Sequence, residues 1–212
     1  MFRARSSTFI AAVVAVAVPA LPVAARAQAL PSAEEMARVD SLRRPYTQVD
    51  IDFMTGMIYH HAQAVVMANW APTHGASKDV GILCSRIARG QTAEIGLMQN
   101  WLKARGQPVP EPDPNGMSMG GMKMLMPGML TPAQMQKLDA SRGAAFDRYF
   151  LVFMIQHHKG ALTMVDTLFS HRGSGVDEVV FKFATAVHVD QMTEINRMEG
   201  MLNAMYAAED DQ

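Results

Sequence analysis

Apolar side chains recur every three or four residues along four long segments of the chain, which is the spacing of helices that bury one face. These segments run over about 47–71, 77–105, 144–169 and 176–206. No segment shows the strict alternation of a half-buried strand or the regular turn spacing of a sheet. The pattern therefore predicts an all-α protein.

Capping sequences predict a short helix before each pair of long ones. Ser32 begins the sequence Ser-Ala-Glu-Glu, which is typical of a capping box, and Pro45 ends the short helix that follows. Thr131 begins the equivalent sequence Thr-Pro-Ala-Gln, and Gly143 interrupts the chain before the next long helix. Each half then forms a hairpin of two long helices, and two such hairpins bury their apolar stripes most simply as a four-helix bundle.

The two halves share the pattern Met-Ile-x-His-His-x-x-Ala-x-x-Met, which begins at Met57 and again at Met154. A second pattern, Gln-x-x-Glu-Ile-x-x-Met, occurs at 91–98 and at 191–198. Internal repetition of this kind indicates one architectural unit used twice. We expect a single helical-bundle domain over 28–212, in which the first repeat covers 32–106, a linker covers 107–130 and the second repeat covers 131–206.

The beginning of the sequence predicts export. Arg3 and Arg5 precede an apolar run over 9–18, and Ala25-Arg26-Ala27 supplies a small-residue cleavage sequence. Residues 1–27 are therefore predicted to be a signal peptide, which places the mature protein in the periplasm or outside the cell. The apolar run is short for a transmembrane helix, and no later stretch is expected to span a membrane.

Charge and cysteine content narrow the classes of function. The chain has 19 basic and 20 acidic residues, and removing the three arginines of the predicted signal peptide leaves 16 basic residues. With this balance of charges, we expect no basic surface that would bind nucleic acid. Cys84 is the only cysteine, so an internal disulfide is excluded and a structural zinc site is disfavoured.

The linker has two parts of distinct composition. Four prolines within 107–116 preclude a helix and predict a semi-extended segment. A tract rich in methionine and glycine follows over 117–129, and we expect it to form a loop with no core to fill. Two interpretations of the tract are open. Its thioethers capture Cu(I) transiently, or it is flexible low-complexity sequence. The methionines of the tract are Met117, Met119, Met122, Met124, Met126 and Met129.

The repeated histidines form the candidate metal site. At 100° per residue, the histidines, methionines and alanine of each copy fall on one stripe of the helix, so the imidazoles start from its apolar side. Several imidazoles buried near a bundle axis would repel one another if protonated, and a shared metal would remove that penalty. We predict one or two metal sites with ligands drawn from His60, His61, His157, His158, Met57, Met67, Met154 and Met164.

His74 and His171 form a further matched pair at the same offset of 97 residues as the repeated pattern. Both are predicted to lie at helix ends. An imidazole there can ligate a metal or cap the last carbonyls, and both roles are open.

Methionine in place of a carboxylate points to copper. Di-iron bundles use Glu-x-x-His, whereas here Met57 and Met154 stand three residues before the first histidine of each copy. Thioether sulfur favours Cu(I), and imidazole also accepts Cu(II) or zinc. The set therefore predicts copper, with Cu(I) favoured, Cu(II) open and zinc less favoured.

These motifs resemble the domain-of-unknown-function 305 family of exported bacterial proteins. The resemblance rests on the two Met-Ile-x-His-His segments and the two Gln-x-x-Glu-Ile segments, and it covers nearly all of the mature chain. It implies a ferritin-like four-helix bundle and, as in some members, copper binding by histidine and methionine with a role in copper tolerance. The methionine tract is an elaboration outside the family pattern.

The leading hypothesis is an exported copper-binding protein that sequesters or transfers copper and contributes to copper tolerance, without a need for catalysis. Its partners would be the metal ion and a periplasmic copper exporter or chaperone, and a homo-oligomer is open. One alternative is a metal-dependent oxidoreductase that oxidises Cu(I) or handles oxygen species. Another is a structural helical module in which the motifs only pack.

Overall fold

The protein is described by a computed structural model that covers Ser32 and residues 45–119 and 122–210. The predicted signal peptide lies outside these residues. The predicted short helix between Ser32 and Pro45 also lies almost wholly outside them.

Four long helices form two hairpins, which confirms the all-α four-helix fold. The first hairpin is α1, Gln48–Asn69, and α2, Lys78–Ala104, and the second is α4, Gly143–Ser170, and α5, Glu178–Asp210. The predicted short helix of the second half is α3, Pro132–Ala140, with Thr131 as its capping residue. Over residues 45–119 and 122–210, no helix is both long enough and apolar enough to cross a membrane.

The two hairpins meet mainly through α1 and α4. Both helices have apolar residues around most of their surface, since they pack on a hairpin partner and on each other. Their fully buried side chains include Met54 and Ile58 of α1 and Phe146 and Phe150 of α4. The histidine-containing stripes therefore lie at the centre of the bundle.

Each hairpin contributes one aspartate that accepts a hydrogen bond from the turn of the other hairpin. Asp50 completes a capping box with Thr47, and its Oδ1 also accepts the Gly175 N–H at 2.7 Å. Asp147 occupies the matching place in α4 and accepts the Ser77 N–H at 3.1 Å. Both carboxylates are buried. Each therefore gives a backbone N–H the hydrogen-bond acceptor that it would otherwise lack.

The methionine tract contains a small hairpin, and the expectation of no strand is wrong there. Strands β1, Met117–Met119, and β2, Met122–Met124, pair antiparallel with Met117 opposite Met124. The sequence does carry the signal, because methionine alternates with Ser or Lys on either side of Gly120-Gly121, a hairpin-turn dipeptide. Gly116 has a φ of +87° and passes so close to Met124 O that a Cβ there would lie 2.4 Å away.

Replacing the buried aspartate at the start of α1 is expected to destabilise the bundle. Asp50→Ala removes the capping box and leaves the Gly175 N–H unpaired, which should lower the free energy of unfolding by roughly 2–4 kcal/mol. Asp52→Ala, an exposed change in the same turn of α1, should alter it by less than about 0.5 kcal/mol. Urea unfolding followed by circular dichroism compares the two, and equal effects would contradict this role of Asp50.

Candidate metal centre

Four histidines are fully buried where α1 and α4 face each other. His60 and His61 come from α1, and His157 and His158 come from α4. The rings of His60 and His157 are in contact, with centroids 3.7 Å apart and planes inclined by 36°. The structure therefore brings one histidine of each repeat together, as the duplication predicts.

The other two histidines each meet a glutamate of the neighbouring helix. His158 Nε2 hydrogen-bonds Glu194 Oε2 at 2.7 Å. His61 Nε2 lies 2.8 Å from Glu94 Oε2, an ion-pair distance without the direction of a good N–H···O hydrogen bond. A carboxylate beside one ring nitrogen favours the hydrogen on that nitrogen and leaves the other with a lone pair.

Several buried imidazole nitrogens have no hydrogen-bond partner among the described residues. Such groups are rare in proteins because each loses its water without compensation. A metal ion between the helices would give these nitrogens a partner, so the donor set fits a metal. The nitrogens are His60 Nδ1, His158 Nδ1, and both Nδ1 and Nε2 of His61 and of His157, of which His61 Nε2 lies at ion-pair distance from Glu94.

Buried methionines lie on the same two helices as this pair. Met57 and Met154 are fully buried one turn before His60 and His157, and Met67 is fully buried as well. In the part of the chain that the structure describes, no three His, Cys, Asp or Glu side chains converge on one point. The buried centre thus offers an ion the imidazoles of the His60–His157 pair, and the methionines of the same helices are its other soft side-chain donors.

The last part of the linker covers the centre. His60 Nε2 lies 3.1 Å from the carbonyl oxygen of Pro127 and donates to it in the matching tautomer. The Gln63 side chain accepts the Leu130 N–H at 2.6 Å and donates to the Leu130 carbonyl at 3.1 Å. Gly160 of α4 permits this approach, because a Cβ there would lie 2.0 Å from Pro127 O.

The methionines of the linker fall into two groups. Met122 and Met124 are exposed, Met117 is half-buried, and Met119 lies in β1. By contrast, Met129 is buried, and Met126 packs on the apolar core beside Gly56. The expectation that this tract fills no core is therefore wrong for its last two methionines, since the linker returns to the bundle to cover the histidines.

The remaining matched histidines have partners at helix ends. His74 is buried, and its Nε2 lies 2.9 Å from the carbonyl oxygen of Asp139. His171 is exposed, and its Nδ1 lies 2.8 Å from the carbonyl oxygen of Thr167. Both contacts lie at helix ends, and neither histidine is part of the buried centre.

The two central histidines are held neutral. Burial lowers the pKa of His60 well below its usual range, and the neighbouring His61 and His158 lower it further. Burial also lowers the pKa of His157, followed by the effects of the other three histidines. Neutral imidazole is the form that ligates metals.

Sequence reasoning missed the residues that hold the linker over the centre. Gln63 binds Leu130, and Gln156 donates to the Gly128 carbonyl at 3.1 Å. The available signal was asymmetry between the repeats, because Gln63 aligns with Gly160 and Gln156 aligns with Tyr59. At both positions the copies differ, and at both the glutamine contacts the linker, which lies outside the repeat.

The sequence model of the DUF305 family, a domain of unknown function, matches residues 50–202 of this chain. The protein belongs to the DUF305 family. The match includes both histidine motifs and the linker between them. No curated protein matches the chain.

Solved DUF305 structures share this fold. A DUF305 fragment from Deinococcus radiodurans is 30% identical, with a TM-score of 0.64 over 76% of this chain and 99% of that one. A DUF305 protein from Streptomyces coelicolor is 31% identical, with a TM-score of 0.62 over 74% and 93% of the two chains. CopM in its Cu(II)-bound form is 26% identical, with a TM-score of 0.57 over 74% and 97%.

The metal-free protein is expected to lose stability as the pH falls below the ordinary pKa of histidine. The unfolded chain takes up protons on His60 and His157 near pH 6.5, whereas the folded chain does not, so acid favours unfolding. Between pH 7.5 and 5.5, these two residues should lower the free energy of unfolding by roughly 2–3 kcal/mol.

Urea unfolding at the two pH values, in the presence of a chelator, measures this loss. His60→Gln/His157→Gln removes the two titrating groups and should reduce the pH dependence. An unchanged dependence in the variant would show that other groups cause it.

Proposed function

We propose that this DUF305 protein is an exported copper-binding protein that holds copper at the His60–His157 pair, in order to sequester or transfer it. One observation carries the proposal: two fully buried imidazoles from different repeats touch each other and leave nitrogens without a partner among the described residues. Burial without a ligand is costly, and a bound metal removes that cost.

The donor types support copper over other metals. The centre consists of buried imidazoles with buried methionines on the same two helices, and the carboxylates of Glu94 and Glu194 contact the outer histidines instead. Soft thioether with imidazole suits Cu(I), while imidazole alone also suits Cu(II). The similarity to CopM, a protein solved in a Cu(II)-bound form, supports the same assignment.

Burial of the centre favours a role in holding and releasing the ion. It disfavours catalysis on an external substrate. All four histidines are fully buried, and the linker covers the α1–α4 side through the Gln63–Leu130 bonds. The sequence of residues 1–27 supports export. We therefore infer a role in copper tolerance, with a copper exporter or chaperone as the protein partner and the exposed methionines as a weaker second site.

Removing the central pair is expected to abolish tight copper binding. Anaerobic titration with Cu(I) against a competing chelator should show at least an approximately 100-fold weaker affinity in His60→Ala/His157→Ala than in the mature wild type. His188→Ala, an exposed histidine of α5, is the matched control and should bind as wild type does. Parallel Cu(II) and Zn(II) titrations rank the metals.

Unchanged affinity in the double variant would assign copper to the methionine tract instead. If the wild type did not bind copper, we would conclude that the paired histidines only pack.

A second variant tests the thioethers with little change in volume. Met57→Leu/Met154→Leu replaces two buried methionines by residues of similar size, so the fold should be retained. Because thioether sulfur prefers Cu(I), we expect the affinity for Cu(I) to fall by about tenfold or more while that for Cu(II) changes little. Equal affinities for Cu(I) in the variant and wild type would show that these methionines only pack.

A further inference from the structure

A groove of about 230 Å³ lies between α2 and α5, beside the buried histidines. Three carboxylates line it, those of Glu94 on α2 and of Asp190 and Glu194 on α5, together with one cation, Arg86. We refer to it as the acidic groove. It is reached from solvent, since Asp190 is exposed and the two glutamates are partly exposed.

The acidic groove adjoins the metal centre through its glutamates. The side chains of Glu94 and Glu194 are 25% and 23% exposed, and each contacts a histidine side chain that is fully buried. Each carboxylate therefore touches both the groove and one of the outer histidines. Within the described chain, these are the ion pairs that His61 and His158 make.

Two buried glutamines also line the acidic groove and lack partners among the described residues. Gln91 is 4% exposed, and neither its Nε2 nor its Oε1 has a hydrogen-bond partner. Gln191, its equivalent in the second repeat, is 3% exposed and has an unpaired Oε1. An unpaired buried amide costs free energy, and a hydrated cation in the groove would offset it.

The carboxylates share one electrostatic environment. The pKa of Asp190 is raised, first by loss of solvent and then by the charges of Glu94 and Glu194. Closely spaced negative charges along a cleft attract cations and raise their local concentration. With three carboxylates against Arg86, the groove favours a cation over an anion.

The linker covers His60 on the opposite face of the centre. There the linker lies against α4 so closely that a Cβ on Gly128 would be 2.6 Å from Gly160 Cα. Pro127 O also meets His60 directly. An ion approaching His60 past Pro127 would have to displace the linker, whereas nothing of the linker lines the acidic groove.

We propose that the acidic groove is the passage through which a copper ion reaches and leaves the buried histidines. The ion is drawn by Asp190, passes between Glu94 and Glu194, and continues to the histidines behind them. This inference rests on the proposed function, since it requires copper at the histidine centre. It assigns the repeated Gln-x-x-Glu motif to transport of the ion, with the glutamates also positioning His61 and His158.

A bulky side chain in the groove tests this passage. Gly90 lines the groove, and a Cβ added there meets nothing within 4 Å, so Gly90→Phe should fold and obstruct it. Gly200 of α5 is likewise exposed with open space around it, and Gly200→Phe is the matched control. The probe is Cu(I) exchanged anaerobically with an excess of a coloured chelator, followed by absorbance in stopped flow.

Gly90→Phe should slow both uptake and release of Cu(I) by about tenfold or more while leaving the dissociation constant nearly unchanged, because an obstruction raises the barrier in both directions. Gly200→Phe should behave as wild type. Wild-type rates in Gly90→Phe would overturn the passage and leave the copper site standing. Failure of wild type to bind copper at the histidines would overturn the proposed function and the passage with it.

A charge variant tests the passage without adding bulk. Asp190→Asn should slow uptake by a few-fold and weaken its dependence on salt, since electrostatic attraction is screened by ions. Asp79→Asn removes the same charge at the start of α2, about 22 Å from Glu94 at 1.5 Å per residue, and should have no effect. Equal uptake rates in the two variants would contradict attraction by the acidic groove, even if Gly90→Phe did not fold.

Discussion

The contact between His60 and His157 constrains the rest of the bundle, because it puts polar rings where the two hairpins need apolar ones. Desolvated imidazole stabilises neither hairpin by itself. The free energy must come from the residues around it, including Phe146 and Phe150, and from the Asp50 and Asp147 contacts to the turns. The fold thus maintains a polar centre that is favourable only when its nitrogens acquire a partner.

The duplicated sequence gives a centre with approximate symmetry, and the linker makes the two sides different. Pro127 contacts His60 and has no such contact with His157, and Gln63 binds the linker where Gly160 only gives it space. The two central imidazoles therefore have different surroundings despite their equivalent places in the repeat. A metal at this centre would meet one nitrogen already engaged by a carbonyl and another ring with both nitrogens unpaired among the described residues.

Periodicity predicted the four long helices and placed the histidines on one stripe, because an amphipathic helix repeats its burial pattern locally. It could not predict the Gln63–Leu130 contact, which joins residues 67 positions apart. Periodicity over long segments also does not detect the short hairpin of β1 and β2, although its sequence carries alternation and a Gly-Gly dipeptide. The contact of Glu94 with His61 could not be predicted either, because it depends on how α1 and α2 are placed relative to each other.

The reciprocal contacts of Asp50 with Gly175 and of Asp147 with Ser77 have an evolutionary consequence. Each hairpin supplies the carboxylate that the other hairpin's turn requires, so neither is complete alone. A single-hairpin ancestor could have satisfied both contacts by pairing with a second copy of itself. In such a dimer the symmetry axis would run between the two histidines that now touch, and gene duplication would have joined the two subunits into one chain.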